Sequence, residues 1–441
     1  MPDRRSFLTS LAGAGAAALL GPAAAAARTS PAYLHPQGMA RALDAFQGES
    51  RSPAEAASDE DLWREVQQAF TVDRSMVNLN NGGVSPAPAA VQEAMARYLA
   101  FSNEAPVHTM WNVLEPQKEG VRQRLARSFG CDTEEMAITR NASEGLQICQ
   151  FGIDLEAGDE VLTTDQDYPR MLTTFEQRVR REGIVLKKFP IPVPAEDPVE
   201  IVRLFEERIT DRTRLILMCH MINITGQILP VRPVVEMARE RGIPVIVDGA
   251  HAYAHFDFDL DDLGCDYYAT SLHKWLFAPF GTGFLYVRHD KIPELWPLMA
   301  SPETLDDDIR KFEEIGTHPC ANYLAIGAAL TFHQGIGPAR KEARLVHLRN
   351  TWAQELLQED RVHLHTSLEP GFAAGIANVA VEGIEPGELA RFLWDRHRII
   401  VTPISHPDCR GLRISPSVYT TAEELHRFVD GVRHAIRNGV A

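Results

Sequence analysis

The sequence lacks several features that would have indicated simple classes of protein. Its six cysteines include no Cys-x-x-Cys pair, so the ligand spacing of a structural zinc site is absent and we expect no metal. Lys and Arg number 44 against 60 Asp and Glu, and the net charge of −16 excludes the basic surface of a nucleic-acid-binding protein. Beyond residue 28 no apolar run is long enough to cross a bilayer, and no internal repeat is present.

The first 27 residues have the composition of an export signal. Arg4 and Arg5 precede Ser-Phe-Leu, an Ala/Gly/Leu-rich run covers residues 11–27, and Ala25–Ala27 offer a small-residue cleavage site. The paired arginines resemble a twin-arginine signal, which predicts a periplasmic or exported protein. An uncleaved membrane anchor is the alternative, although three glycines and a proline interrupt the run and weaken a spanning helix.

The length of 441 residues suits one large domain and a smaller one. We divide the chain into the signal (1–27), an N-terminal arm and helix (28–75), a large domain (76–320) and a small C-terminal domain (321–441). Residues 28–58 are rich in Ala, Pro and Ser and predict a partly ordered arm. Ser58 or Asp59 is expected to cap the helix that follows.

Strand and helix patterns alternate between residues 130 and 290. Seven segments are strand candidates: 135–139, 160–164, 184–189, 214–219, 244–248, 266–270 and 283–288. Several of them are short, β-branched and nearly all apolar, which predicts strands buried on both faces. Helical patterns separate most of them, at 143–151, 169–182, 198–209 and 231–241. The fold class is therefore α/β, with a mostly parallel seven-stranded sheet covered by helices and one antiparallel edge where the last two strands lie close together.

The C-terminal third predicts a different unit. Residues 293–318 are an irregular connection and residues 323–360 are rich in helix. A smaller α/β domain follows, with strands at 375–381, 399–402 and 411–415 and helices at 386–396 and 421–437.

Two charged residues follow neighbouring strands of the predicted sheet, where ligands bind in such folds. Asp248 ends an apolar strand, and a buried carboxylate needs a partner such as the protonated ring nitrogen of pyridoxal phosphate (PLP). Lys274 follows the next strand among apolar residues, which lower the pKa of an amine and favour attack on an aldehyde. Taken singly, Asp248 also fits a turn cap and Lys274 a surface lysine over Trp275, but one strand separates the two residues.

Other strand ends supply groups that would complete such a site. Ala142 and Ser143 open a helix, whose free N–H groups suit a phosphate or simply reflect an ordinary helix cap. Tyr168 would stack on a planar ring or belong to the core, and Asn223 would reach the cofactor or the substrate. Arg413 lies in an apolar strand and suits a substrate carboxylate or an internal salt bridge.

The motif Ser271-Leu272-His273-Lys274 after Asp248-Gly249-Ala250-His251 resembles the class V aminotransferase family of fold-type-I PLP enzymes. The resemblance covers nearly all of residues 75–435. This family includes cysteine desulfurases, selenocysteine lyases, kynureninases and isopenicillin N epimerase-like proteins. It implies a fold-type-I architecture, PLP as cofactor, an amino acid as substrate and a homodimer with shared active sites.

The resemblance also implies a role for each matching position. Lys274 would bind PLP covalently, Asp248 would pair with the ring nitrogen, and His251 would lie near the phenolic oxygen. The groups expected to hold the phosphate are Ala142, Ser143, Ser271 and His273, with Thr317 reaching the phosphate of the neighbouring subunit. Tyr168 would stack on the ring, Arg413 would bind the substrate carboxylate, and Asn80 and Asn81 would line the substrate pocket.

One departure from the family pattern bears on the reaction. Cysteine desulfurases carry a nucleophilic cysteine on a loop well before the carboxylate-binding arginine, whereas Cys409 lies only four residues before Arg413. Persulfide relay is therefore not expected, and the pattern is most similar to the isopenicillin N epimerase-like branch. Epimerisation, C–S or β-lyase chemistry and transamination stay open, as do a non-catalytic PLP-fold binding protein and a structural periplasmic protein.

Overall fold

The structure, a computed structural model, describes residues 36–440. The predicted export signal and the beginning of the predicted arm lie outside the described residues. The rest of the arm contains two helices, α1 (Pro36–Gln47) and α2 (Pro53–Ala57), and is followed by α3 (Glu60–Gln68). Asp59 caps α3, because its side chain accepts hydrogen bonds from the N–H groups of Asp61 and Leu62. Within residues 36–440, no helix combines the length and the apolar character that a membrane crossing requires.

The large domain is built on a seven-stranded sheet whose strands match the sequence prediction. They are β2 (Met136–Thr139), β3 (Glu160–Thr164), β4 (Val185–Phe189), β5 (Thr213–Cys219), β6 (Val245–Asp248), β7 (Tyr267–Ser271) and β8 (Gly283–Val287). Their order across the sheet is β2-β8-β7-β6-β5-β3-β4, and four of the six neighbouring pairs are parallel. The predicted antiparallel pairing of the last two strands is confirmed, because β8 is antiparallel to β7. Its predicted position at the edge of the sheet is wrong, since β2 pairs with the other side of β8.

Helices cover both faces of this sheet, as its alternating side chains require. They are α4 (Ala89–Ser102), α5 (Lys118–Phe129), α6 (Ala142–Gly152), α7 (Pro169–Glu182), α8 (Pro198–Glu206), α9 (Val231–Arg239) and α10 (Cys320–Ile336). Helix α11 (Pro338–Leu356) follows α10 and buries Leu348 and Trp352 in the core of the small domain. Val161 and Leu215 pack with α6 and α7, whereas their neighbours Leu162 and Ile216 pack in the core on the opposite face. A single-residue alternation along each strand therefore fills two cores.

The C-terminal unit has its own sheet and core. Strands β9 (Val362–Leu364), β10 (Ala377–Val381), β12 (Thr402–His406) and β13 (Cys409–Ile414) form an antiparallel sheet in the order β12-β13-β10-β9. Helices α12 (Pro386–His397) and α13 (Ala422–Asn438) pack on it. The pairing places Arg413 between Thr402 of β12 and Asn378 of β10.

A segment from the start of the large domain joins this C-terminal unit. Strand β1 (Val77–Asn78) pairs in parallel with β11 (Ile399–Ile400), and Asn80 forms a further bridge with Ser415. Val77 and Leu79 are buried in the core of the small domain. The polar turn after β1 is thereby brought beside Arg413, although more than 300 residues separate them in the chain.

Candidate active site

A cavity of about 490 Å³ lies at the carboxyl ends of β5, β6 and β7, between the large sheet and the small domain. This is the edge at which parallel α/β sheets bind ligands. Ten of the thirteen predicted site residues line it: Ala142, Ser143, Tyr168, Asn223, Asp248, His251, Ser271, His273, Lys274 and Arg413. Asn80, Asn81 and Thr317 do not.

Lys274 follows β7 and presents its amine to the cavity. Its Nζ lies 3.0 Å from Nε2 of His251. Burial lowers the pKa of Lys274 to about 8, the Asp248 carboxylate opposes this shift, and the Arg413 cation adds to it. A sizeable fraction of this amine is therefore neutral near physiological pH, as a nucleophile or a base requires.

Asp248 ends β6 and is only 4% exposed. One carboxylate oxygen accepts a hydrogen bond of 2.9 Å from the Ala250 N–H, the one donor to this side chain within residues 36–440. Burial raises the pKa of Asp248, while that hydrogen bond and the Lys274 charge lower it. A buried carboxylate with so little compensation is suited to a cationic ligand atom.

His251 lines the cavity beside the Lys274 amine. Burial holds its pKa well below the ordinary value, and the charges of Lys274 and Arg413 reinforce this, so the imidazole is neutral. Its Nδ1 has no hydrogen-bond partner.

The opposite end of the cavity is formed by the start of α6. Asn141 caps this helix, with its Oδ1 accepting from the Glu144 N–H at 2.9 Å, and the Ala142 N–H donates to Ser271 Oγ at 2.9 Å. The Ser143 hydroxyl makes no hydrogen bond to the described residues and stays available. A helix N-terminus with a free hydroxyl is a site for a phosphate.

Two further residues of this end are held by other parts of the chain. Nδ1 of His273 lies 3.1 Å from the Thr282 carbonyl oxygen, and burial lowers the pKa of this histidine. Gly283 lies directly behind the helix start, because a Cβ there would be 2.7 Å from the Asn141 Cα. Only glycine permits this close approach.

Arg413 is 7% exposed and has no carboxylate partner within the part of the chain that is described. Its guanidinium donates to the Asn223 carbonyl oxygen at 3.2 Å and to Asn80 Oδ1 at 2.8 Å, while Nε has no partner. Burial lowers its pKa to about 10. The internal salt bridge considered from the sequence is wrong, and the guanidinium is free to bind a carboxylate.

Three predicted residues lie elsewhere. Asn80 accepts a hydrogen bond from the Arg413 guanidinium and does not line the cavity. Asn81 is buried, donates to the carbonyl oxygens of Asn78 and Ser415, and accepts from the Tyr419 hydroxyl at 2.6 Å. Thr317 lies on an exposed loop outside the cavity. The predicted contact of Thr317 with a neighbouring subunit stays a prediction.

Sequence reasoning missed several wall residues. Thr402 and Ile404 point to the cavity from β12, and their two-residue spacing on a short strand was the available signal. Met221 and Ile224 follow β5, and Gly82 follows β1. A Cβ at Gly82 would lie 3.2 Å from Ser415 Oγ, so a side chain there would crowd the turn that holds Arg413.

Neither cysteine near the cavity offers a reactive thiolate. Cys409 does not line the cavity, and burial raises its pKa to about 12. Cys219 lines the cavity, but its burial raises the pKa of its thiol well above the ordinary value, and the negative charge of Asp167 adds to this shift. Thiols in such surroundings are inert.

Asp165, His406 and Asp408 form one group whose ligand atoms all lie within 4.8 Å of one another. Asp408 is exposed and the other two residues are only partly buried. Exposed acidic groups are common without a bound ion, so the expectation that the chain holds no metal stays a prediction.

The unpartnered atoms of the wall fit PLP. Three buried polar atoms lack a hydrogen bond to the described residues: His251 Nδ1, Asn223 Oδ1 and Arg413 Nε. Each was removed from water without a replacement partner, and a polar ligand would offset that desolvation cost. Comparison with known families decides the matter, since the model for aminotransferase class V matches residues 77–428. The chain belongs to the class V aminotransferase family. Its cofactor is PLP.

Individual members of the family extend the likeness. The isopenicillin N epimerases of Streptomyces clavuligerus and Amycolatopsis lactamdurans are 32% and 31% identical over 84% of this chain and 97–98% of theirs. A probable cysteine desulfurase of Vibrio cholerae is 27% identical over 82% of this chain and 94% of its own length. A solved structure of C-DES with glycine covalently linked to its PLP cofactor has a TM-score of 0.74 and 25% identity, covering 82% of this chain and 98% of that one.

The pKa of Lys274 should determine how fast the apoprotein binds PLP at a given pH. Only the neutral amine attacks the PLP aldehyde, so the rate of PLP capture by the apoprotein should rise about tenfold per pH unit below a midpoint near 8 and then level off. Stopped-flow absorbance measures this rate. Asp248→Asn should move the midpoint to lower pH, because the carboxylate raises the pKa of Lys274. A midpoint near the ordinary 10.5 would contradict the assignment of a buried amine.

Proposed function

We propose that this PLP enzyme removes the proton at Cα of an amino acid. The outcome is epimerisation when a proton returns to the opposite face of Cα, or C–S/β-elimination when a group leaves from Cβ. The observation that carries the proposal is one cavity that holds both a partly neutral amine at Lys274 and an unpaired guanidinium at Arg413. An amino acid has a carboxylate for the guanidinium and, next to it, the Cα proton for the amine.

The residues divide the work between binding and proton transfer. Arg413, fixed by Asn80 and the Asn223 carbonyl, binds the substrate carboxylate and orients Cα. The Lys274 amine takes the Cα proton, and the neutral imidazole of His251 lies next to its Nζ. When bound, PLP would supply an electron sink for the reaction at Cα, and the buried Asp248 carboxylate is the residue that would hold its ring nitrogen.

The surroundings of the cysteines favour these outcomes over persulfide relay. A relay needs an accessible thiolate close to the substrate, and both Cys219 and Cys409 are buried with raised pKa values. The two isopenicillin N epimerases, at 32% and 31% identity, support the epimerase branch. The cystine C–S lyase C-DES, which is similar in structure with a TM-score of 0.72 and 26% identity, supports C–S cleavage as an outcome.

The holoenzyme should be tested on a panel of amino acids in deuterated water. Deuterium at Cα, stereoinversion, pyruvate, ammonia and sulfide are measured together. We expect deuterium incorporation with at least one amino acid, accompanied by inversion or by pyruvate and ammonia, and equal activity in Cys409→Ser. Keto acid without ammonia would show transamination instead. Absence of deuterium with every amino acid would contradict the proposal and favour a binding protein.

We also propose that the protein is exported by the twin-arginine route. The support is the pair Arg4 and Arg5 followed by an apolar run and three alanines at a cleavage site. Replacing both arginines with lysine should retain the chain, with PLP bound, in the cytoplasm of the producing cell. A periplasmic fraction that is unchanged by this replacement would contradict the proposal.

A homodimer with shared active sites is the third part of the proposal. Its support is the exposed Thr317 loop outside its own cavity, together with exposed apolar side chains such as Val107 and Phe280, the latter 62% exposed. Light scattering should give twice the monomer mass. A monomer with full PLP occupancy would contradict it.

A further inference from the structure

A buried histidine behind the cavity connects the two halves of the active site. His255 is 1% exposed and does not line the cavity. Its Nδ1 lies 2.7 Å from the His251 carbonyl oxygen, and its Nε2 lies 2.8 Å from the Gly375 N–H. A carbonyl oxygen only accepts and an N–H only donates, so the ring carries its proton on Nδ1 and is neutral.

One side of His255 contacts the residues around the Lys274 amine. The hydrogen bond holds the main chain of His251, whose Nε2 lies 3.0 Å from Lys274 Nζ. The imidazole also stacks on Trp275, the residue directly after Lys274, with ring centroids 3.6 Å apart and 14° between the planes. The buried amine of Lys341 donates to the Trp275 carbonyl oxygen and thereby fixes the same turn from the other side.

The other side of His255 contacts the small domain. Gly375 lies two residues before β10, and β10 pairs with β13 so that Asn378 faces Arg413. A Cβ at Gly375 would lie 3.0 Å from His255 Nε2, so this approach is close. The neighbouring segment is also bound to the rest of the chain, because the Arg349 guanidinium donates to the Ala373 carbonyl oxygen at 2.8 Å.

We propose that His255 is a positioning residue that sets the distance between the Lys274 amine and the Arg413 guanidinium. One ring nitrogen holds the main chain beside Lys274 and the other holds the strand beside Arg413. An amino acid must reach both groups at once, so a shift between them costs substrate binding and orientation. The part of this inference that concerns the amino acid rests on the proposed function, whereas the part that concerns PLP on Lys274 does not.

Two substitutions separate the two links. The side-chain nitrogen of Asn in His255→Asn lies where Nδ1 was, so it still donates to the His251 carbonyl but leaves Gly375 without an acceptor. The side-chain oxygen of Gln in His255→Gln reaches the position of Nε2, so it still accepts from Gly375 but releases His251. His333→Asn is the matched control, since His333 is also a buried imidazole with a lowered pKa but contacts neither Lys274 nor Arg413.

Each link has its own readout on the holoenzyme. The pH midpoint of the absorbance of PLP bound to Lys274 reports chiefly the groups nearest that amine. These are His251, whose Nε2 lies 3.0 Å from Nζ, and Asp248, whose charge affects the pKa of Lys274 more than that of Arg413 does. The apparent dissociation constant of glycine, taken from the absorbance change that it causes, reports the carboxylate site at Arg413. Neither measurement requires turnover.

We expect His255→Asn to weaken glycine binding about tenfold with an unchanged midpoint, as the loss of one buried hydrogen bond implies. His255→Gln should shift the midpoint by about half a pH unit or more and change glycine binding less. Should one variant not fold, the other still decides, since each predicts a change in one readout. Variants that match His333→Asn in both readouts, or that alter both equally, would overturn the proposal. A wild-type holoenzyme whose absorbance responds to no amino acid would instead count against the proposed function.

Discussion

Lys274→Ala should lose covalently bound PLP and more than about 1,000-fold of the Cα exchange activity. The Lys274 amine both captures the aldehyde of PLP and removes the Cα proton of the substrate. Lys341 cannot replace it, because this buried amine donates to the Trp275 carbonyl oxygen and lies outside the cavity. Absorbance of the dialysed protein and deuterium incorporation measure the two losses. The cavity itself should persist, because within residues 36–440 the Lys274 side chain makes only one hydrogen bond, to His251.

Lys274→Arg is the control for this change. It keeps a cation beside Asp248 but offers no nucleophilic amine, so it should also lose the covalent cofactor. A Lys274→Ala protein that keeps its cofactor band after dialysis would show that another amine holds PLP.

Arg413→Lys should raise the KM for an amino acid about 100-fold and change kcat by less than about threefold. A guanidinium binds a carboxylate with two parallel hydrogen bonds, while its other donors stay on Asn80 and the Asn223 carbonyl. Lysine keeps the charge but loses this fork. Steady-state kinetics on the best substrate of the panel separates KM from kcat.

Arg410→Lys is the matched control, because Arg410 lies on the same strand and is exposed, where it pairs with Glu385. Exposed pairs of this kind contribute little, so its kinetics should equal those of the wild type. Equal effects of the two substitutions, or a loss confined to kcat in Arg413→Lys, would contradict the carboxylate-binding role.

Most strands of the large sheet were predictable because they bury both faces and therefore appear as short, apolar, β-branched runs. The exception is β4, an edge strand that carries Lys187 and Lys188 and is largely accessible to solvent. All seven have bounds within two residues of the prediction. The position of β8 was not predictable, since its partner β2 lies about 145 residues earlier and only tertiary pairing places them side by side. The two-residue β1 was missed for the same reason: its partner β11 lies in the other domain.

The candidate site divides along similar lines. Asp248 and Lys274 were accessible because each follows a recognisable strand, and neighbouring strands bring their ends together. Asn80 and Asn81 were misplaced because a polar turn in sequence does not show that both amides have partners within the protein. The Asn80 amide accepts from Arg413, and the Asn81 amide bonds to Tyr419 and Ser415. Thr402 and Ile404 were missed because they come from a separate sheet. His255 was not predicted as a site residue, and only its two hydrogen bonds show which segments it connects.

The most direct test of the assignment of Lys274 is to reduce the holoenzyme with borohydride, digest it and locate the modified lysine by mass spectrometry. We expect a single pyridoxyl-phosphate adduct on the peptide that contains Lys274, and none in a sample from which PLP was removed before reduction. An adduct on a different lysine, or no adduct on a protein with the PLP absorbance band, would contradict the account of this active site.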